Sequence, residues 1–169
     1  FIKLAYKGTN YFGWQIQPNH SSVQGEIESA LTKLNHNKPI KIVGCGRTDT
    51  GVHASEYFAH ADFDFKLSSA DIIYKLNNML GSDIVIQDIF ELEDEKHARF
   101  DATNRTYHYF IHNKKDPFIN DISWYRFGSL DVKKMNEACA LLIKHNDFEC
   151  FSKVKTETNN FLCNITNAA

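Results

Sequence analysis

The chain of 169 residues carries a formal net charge of −2, with 43% hydrophobic and 13% aromatic residues. That size suits one domain or two small ones around a real core, and the near-neutral charge excludes a globally basic nucleic-acid binder. No apolar run approaches the ~18 residues of a membrane span, no basic-then-apolar leader opens the chain, and the four cysteines form no Cys-x-x-Cys pair, so a reduced, cytoplasmic protein without membrane contact is expected.

Residues 1–7 alternate Ile2, Leu4 and Tyr6 and predict a first strand. A loop from Gly8 to Trp14 follows, whose Tyr11, Phe12 and Trp14 read as a packed aromatic corner. Ser21, with Gln24 three residues on, predicts a helix start by a capping box. Val23, Ile27, Ala30, Leu31 and Leu34 give that helix one apolar face. A strand near 40–45, a glycine loop and a strand near 54–63 come next. Ser68 or Ser69 starts a second helix with Ile72, Ile73, Leu76, Met79 and Leu80 inward, stopped by Gly81. A strand over 84–91 completes the order β-α-β-β-α-β. This order predicts a ferredoxin-like half, a mostly antiparallel sheet with helices on one face.

The acidic stretch Glu91–Glu95 reads as a solvated seam, placing an N-terminal subdomain at 1–95 and a C-terminal one at 96–169. The second part predicts a long strand over 103–112, a polar loop around Pro117, a short strand near Trp124 and a helix from Asp131 to about His145. That helix points Val132, Met135, Cys139, Leu142 and Ile143 inward. A strand beginning at 161–165 follows. The fold class is thus α/β in the α+β sense: two ferredoxin-like halves, the second truncated.

Chemistry concentrates in Gly44-Cys45-Gly46-Arg47-Thr48-Asp49-Thr50-Gly51-Val52-His53. A β-prone run enters three glycines that bracket one arginine and one aspartate, which can hold a guanidinium and a carboxylate at a strand end. As a lone carboxylate Asp49 suits covalent or acid–base work at a sugar or base, or simply a turn in which Asp49 bonds its own backbone. A second stretch, His97 to Tyr109, interleaves Arg99 and Arg105 with Phe100, Tyr107 and Tyr109. Such interleaving suits base stacking with phosphate contact, or a half-buried strand with a tyrosine ladder. Only four of the 19 basic residues are arginine, and three of them (Arg47, Arg99, Arg105) lie in these two stretches. His53 reads as a structural histidine bonding a loop, and no metal-ligand set is visible around it or His60.

The first stretch resembles the signature of the TruA family of tRNA pseudouridine synthases, Gly-Arg-Thr-Asp-Ala-Gly-Val-His, with Thr50 the one departure. The second resembles its His-Ala-Arg-Phe, Ala-Thr and Arg-x-Tyr-x-Tyr segments. Tyr6 to Gln15 is similar to its opening Tyr-Asp-Gly-x-x-Tyr-x-Gly-Trp-Gln, with Lys7 in place of Asp. Ser22-Val23-Gln24 and Asn146-Asp147-Phe148 match two further points. The resemblance implies a uridine-to-pseudouridine isomerase acting on the 3′ side of the tRNA anticodon stem-loop, with Asp49 catalytic. It implies that Arg47 displaces the target nucleotide, that Tyr107 stacks on the flipped uracil, and that Arg99 and Arg105 help bind RNA. It further implies a homodimer and no cofactor, because the isomerisation is redox-neutral. Family members continue through a Phe-x-x-x-Met-x-Arg-type segment that nothing here matches, so little turnover is expected of these residues alone. Two rivals stand beside this reading. One is a non-catalytic RNA-binding module on the same scaffold, which would not need Asp49. The other is a small-molecule protein using the glycine loop as an anion cradle.

Overall fold

A computed structural model describes residues 1–152 and 160–169, which divide into two compact units: residues 1–110 with 118–123, and residues 111–117 with 124–169.

In the first unit, β1 (Ile2–Tyr6) leads through a single 3-10 turn (Gly8–Asn10) and an aromatic loop to α1 (Val23–Leu34). Then come β2 (Val43–Gly44), β3 (Ala54–His60), α2 (Ser69–Met79) and β4 (Ile84–Ile89), so the element order is the β-α-β-β-α-β expected. The sheet runs β2-β3-β1-β4 with every neighbouring pair antiparallel. Ile2, Leu4 and Tyr6 face the core, as their alternation requires. They meet Val23, Ile27, Ala30 and Leu31 of α1, Ile72 and Leu76 of α2, and Ile84, Ile86 and Ile89 of β4. Ile73 and Leu80 pack at its margin, whereas Met79 is exposed, contrary to expectation. Its position at the last helical residue carries it past the packed stripe.

Both helix starts are side-chain capped. The first cap is Ser22, whose Oγ accepts from the Gly25 amide, rather than Ser21. Ser21 is already committed through its carbonyl to the Phe12 amide. Gln24 therefore closes no capping box. Its Oε1 accepts from the Ile16 amide, while its Nε2 donates to Glu28 and to the Ile42 carbonyl. Ser68 caps α2 through the Asp71 amide. That helix ends at an extended Leu80, so Gly81 does not stop it by a left-handed turn.

Glu28 is buried at 5% exposure and fully engaged. Its carboxylate accepts from Gln24 Nε2, from the Ile42 amide at 3.1 Å and from Lys41 Nζ at 2.8 Å. The helix thereby holds the run into β2, whose Ile40 and Ile42 are buried.

The second unit departs from expectation. Among the described residues no ladder forms over 103–110; β5 (Ile111–His112) pairs with β6 (Trp124–Tyr125), which runs parallel to it. Alternating aromatic and β-branched residues report fitness for a pleated surface, but a strand also needs a neighbour for its amides. The parallel sense follows from the connection 113–123, which crosses over instead of turning back as a hairpin. Helix α3 (Val132–Leu142) is capped by Asp131 as expected, Oδ1 accepting from the Lys134 amide at 3.0 Å. None of its residues is fully buried; of the expected inward face Cys139 and Leu142 are half-buried, whereas Val132, Met135 and Ile143 are exposed. Periodicity marks the side of a helix suited to burial but not what buries it. At 161–165 the described residues show a bridge, Asp147 to Leu162, in place of the expected strand. Among the described residues no helix is long and apolar enough to cross a membrane.

Candidate active site

The loop between β2 and β3 is gripped on both sides by the first unit. On the entry side, Gly44 leaves β2 beneath two aromatic rings. A Cβ there would lie 2.2 Å from Tyr57 Oη and 2.6 Å from the Trp14 indole, so only glycine fits. The Tyr57 hydroxyl donates to the Gly46 carbonyl and accepts from the Gly46 amide. Trp14 packs on Tyr57 with ring centroids 4.2 Å apart, and Tyr6 meets Tyr57 edge-on at 5.6 Å. Tyr11 and Trp14 are buried as the corner reading requires, but Phe12 is exposed. It stacks instead on His20, 4.1 Å away.

Thr48 is held three ways. Its Oγ1 lies 2.9 Å from Tyr6 Oη, and its carbonyl accepts from the Trp14 amide at 3.2 Å. That carbonyl also lies 2.3 Å from where a Cβ on Gly13 would sit, and Gly13 has a φ of +85°. Asp49 follows, exposed at the crest. Its carbonyl accepts from the Val52 amide at 3.2 Å, closing a turn in which Gly51 takes a φ of +80°. Arg47, two residues before Asp49, is also exposed.

Burial pushes the Tyr6 hydroxyl up to about 12, with smaller Coulombic contributions from Cys45 and Tyr107 against the Thr48 hydrogen bond. Burial likewise raises Tyr57 and Tyr11, so all three phenols are neutral at physiological pH. Tyr107 is 65% exposed, its ring open to a partner.

The second motif folds as a tight turn. Asp101 Oδ2 accepts from the His97 amide at 2.7 Å, and the Asp101 amide donates to the His97 carbonyl. His97 Nδ1 accepts from the Arg99 and Phe100 amides. Ala98 is buried, and its amide donates to His60 Nδ1 at 3.1 Å. Arg105 then reaches across. Its Nη2 donates to the Cys45 carbonyl at 2.6 Å and to the Arg99 carbonyl at 3.2 Å. One guanidinium thus ties the second motif to the start of the aspartate loop. Arg99 lies exposed with its guanidinium 5.9 Å from the Phe100 ring centroid.

Asp49, Arg47, Arg99, Arg105 and Tyr107 therefore all lie in the first unit, on two motifs that are stitched together. Residues 3–101, more than half of the chain, match the family model described as tRNA pseudouridine synthase. The chain belongs to the tRNA pseudouridine synthase family. It is 46% identical to tRNA pseudouridine synthase A of Porphyromonas gingivalis, over 99% of this chain and 67% of that protein. It is 46% identical to the protein of the same name from Parabacteroides distasonis, with the same coverage. Against tRNA pseudouridine synthase A of Oceanobacillus iheyensis it is 37% identical, over 90% of this chain and 61% of that protein. The chain thus spans about two-thirds of the length of these synthases. The matched region contains Arg47, Asp49 and Arg99 and stops short of Arg105 and Tyr107.

Sequence reasoning passed over the supports of the synthase loop. Tyr57 was one aromatic in a strand, and Thr48 one small residue between two charged ones. The available signal was register: Tyr57 stands opposite Leu4, on the inward face of the sheet.

Proposed function

We propose that this chain carries the catalytic part of an enzyme that isomerises uridine to pseudouridine in tRNA, with Asp49 as the reacting carboxylate. In that conversion the N1–C1′ bond breaks, a C5–C1′ bond forms, the C5 hydrogen leaves to solvent and N1 gains a proton. Electrons balance within the base, so the reaction calls for no redox cofactor. The observation that carries the reading is the exposed Asp49 on a loop pinned by Tyr6, Trp14 and Tyr57, within the residues that match the family. A carboxylate held by a rigid frame reacts from a fixed position.

The other roles follow from placement. Arg47, two residues before Asp49, suits displacement of the target nucleotide from the stack and contact with its backbone. Tyr107 offers an exposed ring, suited to stacking on the extruded uracil. Arg99 and Arg105, on the motif that Arg105 ties to the Cys45 carbonyl, suit phosphate contact. The strand order β2-β3-β1-β4 supports a ferredoxin-like first half. The motif resemblance supports the finer expectations: the 3′ side of the anticodon stem-loop as target, a cytoplasmic setting and a homodimer.

Tritium release from tRNA carrying 5-tritiated uridine tests the reading, with the full-length protein beside its Asp49→Asn variant. Release by the parent alone supports it. If neither protein releases tritium while both bind tRNA, the chain is an RNA-binding module.

A further inference from the structure

The exit side of the aspartate loop is held as firmly as the entry side, and by a residue that the reading above does not use. His53 follows directly on the turn closed by Asp49 and Val52. Its Nδ1 accepts from the Gly8 amide at 2.8 Å, and its Nε2 lies 2.7 Å from the Asp121 carbonyl. A carbonyl can only accept, so Nε2 carries the hydrogen; Nδ1 accepts, so it is bare. The contacts thus select one neutral tautomer and engage both ring nitrogens. The backbone is equally tight. A Cβ on Gly8 would lie 2.0 Å from the Val52 carbonyl oxygen, and the Gly51 amide donates to the Tyr11 carbonyl at 3.3 Å.

Asp49 is therefore the crest of a loop with two anchored limbs. Tyr6 and Trp14 hold Thr48 on one side, and His53 holds the other. The imidazole joins the Asp49 turn to the segment after β1 and to residues 118–123. We infer that His53 is a positioning residue for the isomerisation, fixing the Asp49 carboxylate through the Gly8 N–H···Nδ1 bond. The inference rests on the assignment of Asp49 as the reacting group.

Loss of one limb lets the crest shift without removing any tRNA contact. A displacement near 1 Å at a reacting group lowers turnover by up to ~100-fold. The test compares His53→Ala, His53→Asn, His53→Gln and Asp49→Asn of the full-length protein by tritium release across tRNA concentrations, with thermal unfolding of each. In His53→Ala, kcat is expected to fall about 10- to 100-fold, with KM for tRNA within about threefold. Asparagine places Oδ1 where Nδ1 stood and restores most of the loss; glutamine, which offers an amide only at the Nε2 position, restores less. Parental kcat in His53→Ala, a change confined to KM, or equal rates for the asparagine and glutamine variants would each overturn the inference. Should His53→Ala fail to fold, the asparagine and glutamine pair decides by the same ordering. Activity in Asp49→Asn would sink the Asp49 assignment and the inference with it; an inactive Asp49→Asn beside a fully active His53→Ala sinks the inference alone.

Discussion

Arg105 donates from Nη2 to the main-chain carbonyl of Cys45 at 2.6 Å, joining residues sixty positions apart in the chain. The same nitrogen also reaches the Arg99 carbonyl. A planar fork with several fixed donors can bridge two carbonyls, whereas an ammonium on a flexible stem meets both only at a greater entropy cost. A residue that the family resemblance assigns to RNA binding is thus also a clasp between the two motifs. Arg105→Lys keeps the charge and loses the fork. Its kcat is expected to fall about tenfold, the order that a small misplacement brings, while the salt dependence of tRNA binding stays near parental. A change in the salt slope of affinity with kcat intact would instead make Arg105 a simple phosphate contact.

Tyr107 stands 65% exposed, so its ring contributes little to the fold. Tyr107→Ala is expected to leave the melting temperature within about 1 °C, since exposed substitutions change stability by ~0.5 kcal/mol or less. It should weaken the tRNA complex by about 1–3 kcal/mol, the range for one stacked base. Tyr107→Phe keeps the ring and should bind within about threefold of the parent. Equal loss in both variants would show that the hydroxyl, not the face, does the work.

Glu28 gives a stability prediction free of the chemistry. Removing its carboxylate leaves the Ile42 amide without its partner beneath α1. Glu28→Ala should cost about 2–3 kcal/mol, measured by urea unfolding, with Gln24→Ala costing less because it removes a neutral amide and not a charged group.

Acid should loosen the docking of the 97–101 turn. His60 must keep Nδ1 bare to accept the Ala98 amide. Its pKa is lowered below the ordinary His range, first by burial, then by His97 (ring centroids 4.6 Å apart) and the Phe1 amino group, with Asp62 opposing. The folded state therefore binds fewer protons than the unfolded one between that lowered value and ~6.5. The contribution is complete above about 6.5 and is lost as pH falls through the folded pKa. The protection factor of the Ala98 amide, its exchange rate relative to the intrinsic rate at each pH, should fall over that range, and His60→Asn should flatten the response. A pH-independent protection factor in the parent would contradict this.

Alkali acts in the opposite direction on the aromatic frame. Tyr6 is raised to about 12, and Tyr57 and Tyr11 are raised as well, all chiefly by burial. Each favours the neutral form in the folded state, so its contribution is complete below about 10 and is lost as pH rises through the folded value. Absorbance of tyrosinate should appear for these three only above pH ~10, together with loss of near-ultraviolet dichroism. Titration at 10 with the fold intact would refute the assignment.

The sequence alone determined the element order of the first unit and the family to which its motifs belong. Its periodicities are local: alternation at Ile2, Leu4 and Tyr6 and the helical stripe from Val23 to Leu31 appear in the folded core as read. The two motifs were legible because a glycine run around Arg47 and Asp49 has few other uses. Tertiary structure decided the rest, because the decisive contacts join distant parts of the chain. That Tyr57 would hold Gly46, that Arg105 would bridge to Cys45 and that His53 would bond Gly8 depends on which residues the antiparallel register sets side by side. The same physics explains the failures beyond 103. A tyrosine-rich run and an amphipathic helix state what they could pack against, but ladder partners and covering faces come from elsewhere in the fold.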